Sequence, residues 1–90
     1  MKELYKIVKV KKVFFYNGIQ LKIVDREEPY MNAKEPLTMT RVIAPNGGSI
    51  PLNIQHRQTL KSIAEDTIRI LDGFKERGAN VTEILTKPLS

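Results

Sequence analysis

Val13-Phe14-Phe15-Tyr16-Asn17-Gly18-Ile19-Gln20-Leu21-Lys22-Ile23-Val24 is the stretch that decides the fold. Aromatic and β-branched residues crowd both sides of Asn17-Gly18, which favours strand on either flank. Both central positions of a two-residue hairpin turn need positive φ, and Asn-Gly accepts it at low cost. The spacing predicts a hairpin with Tyr16 opposite Ile19 and Phe14 opposite Leu21. Alternation then gathers Val10, Phe14, Tyr16, Ile19, Leu21 and Ile23 on a core face. Lys9, Lys11, Val13, Phe15, Gln20, Lys22 and Val24 fall on the opposite face. Lys12 lands on the core face, which calls for either a bulge near Lys11-Lys12 or a place at the rim.

Further along, residues 27–36 contain Pro29 and Pro36 and no hydrophobic period, so they read as a loop. Residues 37–44 read as a third strand, with Leu37, Met39, Arg41 and Ile43 on one face and Thr38, Thr40 and Val42 on the other. Pro45-Asn46-Gly47-Gly48 is a turn. Ser49-Ile50-Pro51-Leu52 follows as a short fourth strand, placed at an edge by Pro51.

From about Asn53 to Arg77 the period changes. Leu60, Ile63, Ala64, Thr67, Leu71 and Phe74 recur at three- and four-residue steps, the pattern of an amphipathic helix. Asn53 or Thr59 caps its start, and Gly78 supplies a left-handed stop. Residues 79–90 form a short tail in which Val81-Thr82-Glu83-Ile84-Leu85 has strand character. The 90 residues thus read as a single α+β domain. Its layout is an N-terminal antiparallel sheet of about four strands in two hairpins, then one long amphipathic helix and a short C-terminal tail.

Fifteen Lys and Arg face ten Asp and Glu, a net charge of +5. Seven of those cations and only two acids fall within residues 1–26, so the excess is concentrated in the first third. A local positive field attracts polyanions, whereas a lysine-studded edge strand also serves simply to block aggregation. There is no cysteine, which excludes disulfides, thiolate metal sites and thiol catalysis. No apolar run reaches the roughly 18 to 20 residues of a membrane span. Met1–Lys6 lacks a signal-peptide core, so a cytoplasmic location is expected.

Catalysis finds little support, and no enzyme activity or cofactor is expected. The one histidine, His56, has no evident orienting partner. Asp25, Glu27 and Glu28 either hold a hard cation or merely solvate a strand end, and the second is the simpler reading, so no metal is expected. Gly47-Gly48 lacks the lysine and helix spacing of a phosphate loop. An anion site is better supported. Lys9, Lys11 and Lys22 surround Phe15, an aromatic platform for a base unless it packs on a partner subunit. Arg57 and Lys61 cluster at the helix start, where free N–H groups favour anions. Arg41 lies on an apolar strand face and needs a partner, either a ligand or an acid such as Glu65 or Asp66. Tyr30 is a second stacking candidate.

Ile68 and Ile70 widen the apolar arc of the helix beyond the stripe a surface helix needs, which predicts a homo-oligomer through helix 56–77. The alternative is that loop 27–36 and tail 79–90 fold over the helix. Two functions follow. One is a non-enzymatic protein that captures a small phosphorylated, nucleotide-like ligand. The other is a basic regulator that lays the lysine-rich hairpin along nucleic acid. They differ in salt response, because each phosphate contact to a polyanion releases counterions.

With Asn17-Gly18-Ile19 and Thr40-Arg41-Val42 as its hairpin landmarks, the layout resembles that of small phage-encoded anti-defence proteins. It is most similar to the anti-Thoeris sponges that sequester cyclic ADP-ribose-type signals. That resemblance implies binding without turnover inside a bacterial host cell. It also implies arginine and aromatic side chains that grip pyrophosphate and adenine.

Overall fold

The computed structural model describes residues 5–29 and 34–88. Strand β1 (Lys6–Tyr16) turns at Asn17-Gly18 into β2 (Ile19–Glu28), and β3 (Leu37–Ile43) adds to the far side of β2. The sheet is antiparallel with order β1-β2-β3. Helices α1 (Leu60–Glu76) and α2 (Val81–Thr86) follow, so the class is α+β. No described helix is long and apolar enough to cross a membrane.

The hairpin forms as the turn chemistry demands. Asn17 has φ +49° and Gly18 φ +79°, and Tyr16 pairs with Ile19 and Phe14 with Leu21. The fourth strand does not form. Residues 49–52 contribute one bridge, Ser49 to Ile43, and the Ile50 N–H reaches the Val42 carbonyl. Pro51 has no N–H with which to extend the ladder.

Two irregularities in β1 redistribute its side chains. The register shifts between Ile7 and Lys9 and again between Val10 and Lys12. The expected bulge near Lys11-Lys12 is therefore present, and Lys12 also sits opposite Ile23 with its side chain exposed. Strict alternation would put Val10 on the core face. The bulge instead sets it opposite Val24, on the other face. Lys9, expected beside Phe15, is opposite Asp25 and shares the face of Ile23.

The helix is shorter than its period suggested. It begins at Leu60 rather than near residue 56, because Thr59 is the cap and its hydroxyl accepts the Ser62 N–H. His56 and Arg57 lie in a turn just before it, in which the Gln58 N–H meets the Gln55 carbonyl and the Gln58 side chain accepts the Gln55 N–H. Gly78, at φ +90°, ends the helix. Ala79 N–H bonds to Phe74 and Gly78 N–H to Lys75, the paired closure of a Schellman stop.

The tail is helix rather than strand. Asn80 caps α2 by accepting the Glu83 N–H, and the Asn-x-x-Glu spacing at 80–83 is the local signal for it. α2 contacts α1 and places Val81 and Leu85 in the core. The wide apolar arc of α1 is thus covered partly from within the chain. The core joins Phe14, Tyr16, Leu21 and Ile23 to Ile63, Ala64 and Leu71, with Val42, Ala44 and Ile50 beside them. It occupies the turn end of one sheet face. Val24 and Ile43 are also buried but lie on the opposite face, outside that cluster.

Candidate functional site

The expected cations do not converge on one pocket. Lys9 and Lys12 project along the exposed length of β1 on the helix-side face. Lys11 lies at the bulge, and its ammonium is 3.8 Å from the Asp25 carboxylate, which also accepts a hydrogen bond from the Thr40 hydroxyl. Lys22 stays on the other face, where it pairs in register with Val13 and lies diagonal to Phe15. Phe15 is 62% exposed, so its ring is open rather than buried. Arg57 and Lys61 are exposed, but Arg57 precedes the helix and the two do not share a helical side. Lys9, Lys12, Lys22, Arg57 and Lys61 make no ion pair with any other described residue. Tyr30 lies outside the described residues.

Arg41 has found a partner, though neither of the acids suggested from sequence. Its Nε donates to Glu28 Oε2 at 3.0 Å and its Nη2 to Oε1 at 3.2 Å. Arg26, which sequence reasoning passed over, shares the same carboxylate. Its Nη2 donates to Glu28 Oε2 at 2.7 Å and its Nε at 2.9 Å. The register explains the cluster. β2 alternates Val24, Arg26 and Glu28 on one face, and β3 sets Arg41 beside Val24 on that face. Burial pushes the Glu28 carboxyl up, but hydrogen bonds from Arg26 and Arg41 and their positive charge outweigh it and hold its pKa below the usual value. The Tyr5 ring lies 4.1 Å from the Arg26 guanidinium carbon, a cation–π contact that shelters the network. Asp66, the acid first expected for Arg41, instead accepts from Gln58 and Arg69.

Two hollows lie beside α2. One, of about 390 Å³, is lined by Ala79, Asn80, Glu83, Ile84, Lys87 and Pro88. The other, of about 200 Å³, lies between the 44–51 turn and the helices. Neither is lined by an expected anion contact. No group of three or more metal-binding side chains occurs among the described residues.

Comparison with protein-family models, with curated proteins and with solved structures finds no match to this chain.

Proposed function

We propose that the chain is a non-enzymatic binding protein for an anionic ligand, and that the ligand is an extended polyanion of the nucleic-acid type. The observation that carries this reading is the row of exposed lysines along β1. Lys9, Lys11 and Lys12 follow one another on an 11-residue strand; Lys9 stands opposite Asp25 in the register, but of the three only Lys11 forms an ion pair among the described residues. Cations strung along an edge suit a line of phosphates better than a single phosphate group. The two hollows beside α2 are not lined by these cations.

A second reading, capture of a small nucleotide-like signal, draws support from one feature. The open Phe15 ring lies diagonal to Lys22 on the same face, offering stacking and a phosphate contact together.

Fluorescence anisotropy separates the two, with a labelled oligonucleotide in one arm and adenosine diphosphate in the other. Oligonucleotide affinity should fall steeply with salt. Lys9→Glu combined with Lys12→Glu should weaken it about tenfold or more and flatten the salt slope by about 1.4 to 1.8. Saturable binding of the mononucleotide with little salt dependence would favour the second reading. Absence of binding in both arms at low salt would refute both.

A further inference from the structure

The second face of the sheet carries apolar side chains that the described residues leave open. Ile7, Val10 and Val13 form a row along β1, and Leu37 and Met39 form a row along β3. Each of the five is between 37% and 49% exposed. With Tyr5 they leave on the order of 500 Å² of apolar surface in two rows that flank β2. The helices offer nothing comparable. α1 leaves Ile68 exposed and α2 leaves Ile84, single residues of the kind any surface shows.

The strand register arranges this face in four cross-strand levels. Val13, Lys22 and Ile43 make the first, and Val10, Val24 and Arg41 the second. Ile7, Arg26 and Met39 make the third, and Glu28 and Leu37 the fourth.

We propose that this face is a homodimer interface, with two copies packed sheet to sheet about a two-fold axis that crosses the strands between the second and third levels. The operation stacks the first level on the partner's fourth and the second on the partner's third. Val10 then lies over the partner's Ile7. Lys22 comes over the partner's Glu28, so the unpaired ammonium meets the carboxylate of the Arg26–Glu28–Arg41 network. The other face-to-face two-fold, parallel to the strands, would set Lys22 against Lys22 and Glu28 against Glu28. Like charges meeting in a desolvated interface disfavour it. Aligned sheets pack in this manner about 10 Å apart.

This inference is independent of the polyanion reading, but it competes with the small-ligand reading for Lys22. It leaves Lys9 and Lys12 on the outer, helix-side face, and Phe15 beyond the end of the overlap. It also moves the expected self-association from helix 56–77 to the sheet.

Sedimentation velocity on the full chain over a wide concentration range tests it. The wild type should be a dimer. Val10→Asp, at an exposed position, should keep the far-ultraviolet circular dichroism of the wild type. It should weaken association by about a hundredfold, because each dimer would bury the new carboxylate twice. Lys22→Glu should weaken association about tenfold. Ile68→Asp on α1 should leave the dimer intact. A wild type that stays monomeric at all concentrations would overturn the proposal. So would a dimer that survives Val10→Asp, or one that Ile68→Asp dissolves.

Discussion

The Tyr16 hydroxyl donates to Asp72 Oδ1 at 2.6 Å, tying the turn end of β1 to the second half of α1 across 56 residues of sequence. The hydrogen bond to Asp72, then burial, then the Asp72 charge all disfavour the phenolate, and they push the Tyr16 pKa up to about 12 from 10.0. A pKa raised on folding contributes stability that is complete below the unfolded value and lost as pH rises through the folded one. The contribution should therefore be intact below pH 10 and vanish between about 10 and 12. Tyr16→Phe should cost about 1 kcal/mol at neutral pH, since Asp72 is exposed and regains water. It should also remove that part of the alkaline decline. Urea midpoints measured against pH for both proteins check this.

Glu28 holds two guanidiniums, and Arg26 is buried. Glu28→Gln should cost about 2–3 kcal/mol, somewhat less than in a fully buried pair because the carboxylate retains some exposure. The carboxyl pKa is lowered on folding, so its contribution is present above the ordinary carboxylate value and lost as pH falls through the lower, folded value. The variant should show a flatter acid limb in thermal melts than the wild type.

Asn46 fastens α2 to the turn after β3. Its Nδ2 donates to the Ile84 carbonyl at 2.8 Å and to the Lys87 carbonyl at 3.0 Å, while its Oδ1 accepts the Gly48 N–H at 2.9 Å. Asn46→Ala leaves those groups without their partner at the end of a six-residue helix. Amides in α2 should exchange about tenfold faster, with the central amides of α1 little changed. Equal acceleration in both helices would mean that α2 opens only with the whole domain.

Gly18→Ala should destabilise the chain by about 1 kcal/mol. A Cβ there meets no atom within 4 Å, so the penalty comes from φ +79° rather than from crowding. Chemical denaturation should show a lower midpoint with an unchanged slope.

The elements that the sequence determined by itself are those written in short-range chemistry. Asn17-Gly18 specifies a turn whatever lies around it, and the flanking alternation then pairs Phe14 with Leu21. Thr59 and Gly78 bound α1 through bonds to residues within a few positions. Asn80 and Glu83 bounded α2 in the same local way, and strand propensity at 81–85 obscured a signal that was present.

Tertiary structure decided the rest, because the deciding contacts join residues brought together only by sheet register. The bulges in β1 carried Val10 across to the face of Val24 and Lys9 away from Phe15, and so dispersed the cations. A single inserted residue reverses every later side chain, and no local rule says which lysine a strand will expel. Arg41 is 13 residues from Glu28 in the chain, yet the β2–β3 register sets them on one face beside Arg26. Pairing across strands depends on that register, and the register follows from burying Leu21, Ile23 and Val42 together under the helices.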